Sequence, residues 1–197
     1  RINGADLEQI IGADGKIVHP LVDKNVKVSY VVTETSTGKE KKTADVDYVV
    51  KGINEQVTGK NAKPTVIPEI QEWHSNSTEQ ISVNALKTVT YTDDKLKAVV
   101  DEFVRDYKDF TGINLTVKKG ASQANAFNFE LKAPDTLLGD EGYTMDIQKD
   151  RINVASVHPT GNMYGMQTIL QMYKEDNEGY KIGKMRDYPR FKTRGFL

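Results

Sequence analysis

The chain has 197 residues, enough for one medium domain or two small ones, and its 27 Lys plus Arg against 28 Asp plus Glu leave a formal net charge of -1. That balance argues against polyanion binding, so no nucleic-acid partner is expected. No apolar run approaches the ~18–20 residues needed to span a bilayer. Cysteine is absent, which excludes disulfides, thiolate metal sites and a Cys nucleophile. The chain opens on Arg1-Ile2 with no initiator Met, basic n-region or apolar h-region, so this start is not expected to be a native translation start.

Residues 1–60 read as a small β-rich module. Asp14-Gly15 is a turn signal followed by Ile17-Val18. In residues 25–32, Val26, Val28 and Tyr30 alternate with Lys27 and Ser29, the period-2 pattern of a half-buried strand. Ser36-Thr-Gly38 is a turn, the charged run 39–42 a solvated loop or strand edge, and residues 44–50 a second strand. These strands suit an Ig-like or reduced sandwich module, being too few for a complete seven-stranded Ig domain. Gly52, Gly59, Pro64 and Pro68 punctuate a junction, with the domain boundary expected near residues 58–63.

From there the pattern becomes α+β, and residues 61–185 are expected to form a sheet packed by two helices. Short strands are expected at 65–67, 81–83 and 88–91. A helix follows over about 93–110, with Leu96, Val99, Val100, Phe103, Tyr107 and Phe110 on one face, Thr92 or Asp93 as N-cap and Gly112 as the stop. Leu115 and Val117 mark a strand and residues 126–131 an alternating one. Residues 143–147 and 152–156 flank Gln148-Lys-Asp-Arg151 as a hairpin. A second helix over about 161–173 points Met166, Ile169, Leu170 and Tyr173 inward, and residues 180–184 are strand-like.

No constellation in this chain carries catalysis by itself. His19, His74 and His158 share no ligand spacing, and no phosphate loop, dinucleotide fingerprint or nucleophile elbow is present. Asp101-Glu102 are consecutive on a helix, so their carboxylates diverge by about 100°, and Asp140-Glu141 read as solvated loop charges. Neither metal nor organic cofactor is implied. Trp73, the only Trp, sits beside Glu72 and His74 and has two readings: a platform for a sugar face, or a plug at the junction between the two units.

The C-terminal third is the specific part. Glu141-Gly-Tyr143, Ile147, Ile152-Asn-Val-Ala155, Gly161, Tyr164-Gly165, Gln167-Thr168-Ile169-Leu170-Gln171, then Asp187-Tyr-Pro189-Arg190-Phe191 with Arg194-Gly195 form an ordered series that resembles glycoside hydrolase family 20. The resemblance covers about residues 64–197 and departs from the usual pattern at Ile169, where Leu is common. It implies an accessory α+β domain, with residues 186–197 starting the link into a (β/α)8 catalytic barrel. The motif residues are then structural, at the barrel interface. It further implies a parent β-N-acetylhexosaminidase, secreted or at the cell surface, of a Gram-positive bacterium. Such a parent removes terminal N-acetylhexosamine from glycans with retention, the substrate's own acetamido oxygen attacking while an Asp-Glu pair in the barrel assists. On this reading the catalytic pair lies beyond Leu197, Phe196 and Leu197 lack their strand partners, and the barrel of the same polypeptide is the partner. A carbohydrate-binding or adhesion module, and an unrelated enzyme built on the α+β domain, are the alternatives.

Overall fold

The computed structural model describes residues 1–132 and 135–190, and these divide into two compact units: residues 1–56 with Pro189 and Arg190, and residues 57–188.

In the first unit, β1 (Ile2–Ala5), β2 (Lys24–Thr33), β3 (Glu40–Lys42) and β4 (Val46–Val50) make one antiparallel sheet. The ten-residue β2 is its spine. It pairs with β1 along one edge, and along the other with β4 and then β3, which share that edge as one interrupted strand. The alternation read in residues 25–32 is the reason: Val26 and Val28 are fully buried with Leu7, Ile10, Ile11 and Leu21, while Lys27 faces water. Within the first unit the described residues form this one sheet. Within the charged run 39–42, Glu40–Lys42 form β3, an edge whose lysines are both exposed, a common guard against edge-to-edge pairing.

The second unit is α+β. Its elements in chain order are β5 (Glu72–His74), β6 (Gln80–Ser82), β7 (Thr88–Tyr91), α1 (Lys97–Thr111), β8 (Thr116–Lys119), β9 (Ala126–Leu131), β10 (Tyr143–Ile147), β11 (Arg151–Ser156), α2 (Pro159–Glu175), β12 (Gly179–Lys181) and β13 (Gly183–Asp187). A seven-stranded mixed sheet runs β5-β13-β10-β11-β9-β7-β8, and β12 pairs with β6. The expected hairpin is β10–β11, in register from Tyr143↔Ser156 to Ile147↔Ile152. Strand β13 carries the sheet through Asp187, past residue 185, where the domain's end was expected.

Asp93 caps a short 3-10 turn by accepting the Lys95 N–H at 2.8 Å, and this turn feeds α1; Gly112, at φ 73, ends it. Phe103 and Tyr107 of α1 interlock with Phe127 and Phe129 of β9, ring centroids 5.1–5.4 Å apart, at distances typical of edge-to-face aromatic pairs. Residues Met166, Ile169 and Leu170 of α2 fill the same core, with Tyr173 half-buried beside it. The alternate sheet face is polar: Thr90 donates to Asn128 Oδ1 at 2.7 Å and Asn128 Nδ2 to Asn153 Oδ1 at 3.0 Å.

One expected strand is absent. Residues 65–67 pair with no strand, and Ile67 lies in a bend. Side chains of α2 satisfy their backbone instead: Thr65 N–H donates to Glu175 Oε2 (3.0 Å), Ile67 N–H donates to Gln171 Oε1 (2.8 Å), and Gln171 Nε2 donates to Ile67 O (3.0 Å). The primary amide stands in for the peptide group of a neighbouring strand.

Candidate functional site

Four of the family-like residues, Tyr143, Gly161, Gly165 and Thr168, meet in one place, the seat of α2 on β10 and β11. A Cβ at Gly161 would lie 2.3 Å from Gly142 O and 2.7 Å from Ser156 Cβ, and one at Gly165 would lie 2.6 Å from Val154 Cγ1. Only glycine lets the helix backbone approach the sheet this closely. Tyr143, whose ring lies against Gly165, is buried and hydrogen-bonds Thr168 Oγ1 at 2.6 Å. Burial pushes its hydroxyl well above the usual tyrosine range, with the neighbouring Asp187 adding to the effect. His158 caps the helix by accepting from the Thr160 N–H. The motif spacing is therefore a packing code: Gly142-Tyr143 on the sheet, then Gly161, Gly165 and Thr168 on the helix.

A second cluster closes the far side of the sheet. Arg186, 4% exposed, donates from Nη1 to Glu72 Oε1 at 2.7 Å and from Nε to Asp135 Oδ2 at 2.5 Å, while Tyr188 donates its hydroxyl to Glu72 Oε1 at 2.9 Å. The guanidinium also lies over the Tyr188 ring, 4.9 Å from its centroid. One cation thus joins β5, the turn at 135–138 and β13. Asp187 accepts the Gln71 N–H at 3.0 Å, and burial raises its carboxyl above the ordinary carboxylate value. Nothing in the sequence marks Asp135 as a partner 51 residues from Arg186, and Arg186, expected in the interface segment, is committed inside its own unit.

The other candidates lie elsewhere. Trp73 is in β5 opposite Met185; its indole N–H donates to Asn61 O at 3.0 Å and its ring edge lies against Gly183. Each of these partners belongs to the second unit. Asp101 is held by Lys97 at 2.6 Å and Glu102 by Arg105 at 3.8 Å, both pairs on the exposed side of α1. His19 Nδ1 contacts Lys51 O in the first unit, and among the described residues no group of three His, Asp or Glu could hold a metal. Pro189 O accepts from Gln9 Nε2 at 3.2 Å and Arg190 is exposed. Phe191, Arg194 and Gly195 lie outside the described residues.

What remains of the motif faces outward. Tyr164 and Gln167 are exposed, and with Thr160 and Gln171 they make the outer stripe of α2. From Pro159 to Tyr173, about four turns, α2 carries no charged residue; its only two are Lys174 and Glu175. A solvent-facing helix ordinarily carries charge on its outer side.

The chain belongs to glycosyl hydrolase family 20: residues 63–188 match that family's domain 2, so the second unit is the family's accessory domain. Over 134 residues the chain is 22% identical to a lacto-N-biosidase of Bifidobacterium bifidum, covering 68% of this chain and 12% of that protein. It shares a fold with an N-acetyl-beta-hexosaminidase of Streptomyces plicatus (TM-score 0.54, 21% identity, 68% of this chain and 28% of the other). It also matches a family 20 exo beta-N-acetylglucosaminidase of Vibrio harveyi (TM-score 0.53, 15% identity, 86% of this chain and 26% of the other). The chain thus spans about a quarter or less of each relative's length.

Proposed function

We propose that this chain is a non-catalytic part of a secreted bacterial β-N-acetylhexosaminidase and that its accessory domain braces the catalytic barrel of the same polypeptide. The observation that carries the reading is the outer stripe of α2, uncharged from Pro159 to Tyr173 on a helix whose inner side is already buried. A helix face without charge is suited to cover another protein surface, because no ion has to be desolvated. The family membership supports this choice of partner: relatives named as an N-acetyl-beta-hexosaminidase and an exo beta-N-acetylglucosaminidase carry a matching part as about a quarter of a longer chain.

The parent is proposed to remove terminal N-acetylhexosamine from glycans with retention, through the substrate's acetamido oxygen, on residues of the barrel and without a cofactor. The accessory domain contributes rigidity. Gly161 and Gly165 lock α2 to the sheet, and Arg186 locks the exit strand, so that the stripe is presented on a stiff platform. The test is direct. This chain does not hydrolyse a chromogenic N-acetylglucosaminide, and the same chain extended through the barrel does; turnover by the chain alone defeats the proposal.

A further inference from the structure

Ile67 has the most exposed large apolar side chain among the described residues, at 84%. Its backbone is the opposite. The N–H and the carbonyl are both taken by the Gln171 amide, at 2.8 and 3.0 Å. Val66 beside it is buried, Ile70 is buried three residues on, and Lys63 Nζ donates to Ile70 O at 3.2 Å. The strap from residue 63 to residue 70 is therefore fixed at several points, and Ile67 is the residue it turns outward. An apolar side chain held rigid in water gains nothing from its exposure, whereas a partner that covers it pays little ordering entropy. Gln171, which holds the strap, lies one and two turns along α2 from Gln167 and Tyr164. The Gln171 amide thus joins the strap to the uncharged stripe, and the strap's own charges, Lys63 and Glu69, pair with each other.

We infer that Ile67 is the apolar anchor of this docking surface, inserted into a hollow on the catalytic barrel of the same polypeptide, with Tyr164 and Gln167 as the flanking contacts. The inference rests on the bracing reading and adds to it a residue that no motif contains. Gln171 is then a positioning residue: it sets the anchor without touching the partner.

Thermal unfolding of Ile67→Asp and Tyr164→Asp, each in this chain and in the chain extended through the barrel, tests it. Ile67→Asp leaves the Tm of the chain alone unchanged and lowers that of the extended chain by more than about 3 °C, the size of a ~1 kcal/mol loss. If Ile67→Asp lowers the Tm of the chain alone equally, the side chain packs within its own unit and the anchor is refuted. If only Tyr164→Asp destabilises the extended chain, bracing stands and the anchor fails. If neither variant does, both fail.

Discussion

The two helices of the accessory domain pack on the same sheet face by opposite means. Helix α1 reaches the sheet through large side chains, Phe103 and Tyr107, and carries seven charged residues among its fifteen. Helix α2 reaches it through missing side chains, Gly161 and Gly165, and carries two charged residues among its seventeen, both in the last turn. An inner face tells only that a helix belongs to a core. The outer face tells what it is suited to meet: the charged face of α1 suits water, and the uncharged face of α2 suits the protein partner proposed for it.

The contrast predicts opposite mutational signatures. Deleting volume breaks α1: Phe103→Ala opens a cavity among three aromatic rings, Tyr107, Phe127 and Phe129, and costs about 3–5 kcal/mol in urea unfolding. Adding volume breaks α2: Gly161→Ala drives a methyl into the Gly142 carbonyl and costs about 1–3 kcal/mol, whereas Ala98→Gly on α1 costs only the helix-propensity difference of about 1 kcal/mol. Equal losses at Gly161 and Ala98 would erase the distinction between the two seats.

The buried ion cluster sharpens the claim of a stiff platform. Arg186→Met strands Glu72 and Asp135 and costs about 3–5 kcal/mol. Adding Glu72→Met recovers part of that loss, since the double variant no longer leaves the Glu72 carboxylate beside a missing cation. Asp187 gives a pH signature. Its folded-state pKa is raised by burial, so the fold favours the protonated acid; the penalty is absent below the ordinary carboxylate pKa and grows as pH rises through the raised value. Asp187→Asn keeps an acceptor for the Gln71 N–H and removes the charge. Its stability relative to the parent chain therefore increases from pH 4 to pH 7, and a flat difference across that range would contradict the assignment. The smallest expected effect is on the stripe itself: Tyr164→Asp in this chain alone changes stability by no more than about 0.5 kcal/mol.

Much of the fold was legible because its determinants are local. The apolar period of α1 with Asp93 and Gly112 at its ends, and the alternation through the β10–β11 hairpin, each lie within one short window. The strand expected at 65–67 failed for a nameable reason. Its three β-branched residues suit a strand, but the groups that satisfy its backbone belong to Gln171 and Glu175, more than a hundred residues away. The same distance hid the Arg186 cluster, whose partners precede it by 51 and 114 residues. The absence of charge along α2 was in plain view in the sequence and became meaningful only once the inner face was assigned and the outer one was left over.

Hydroxyl-radical footprinting of the chain alone and of the chain extended through the barrel reads the two outer faces together. If α2 docks and α1 does not, Tyr164 and Ile67 lose reactivity in the extended chain while Phe110, exposed on α1 beneath Lys174, keeps its own. Equal reactivity of Tyr164 in both forms, or protection of Phe110 instead, would contradict it.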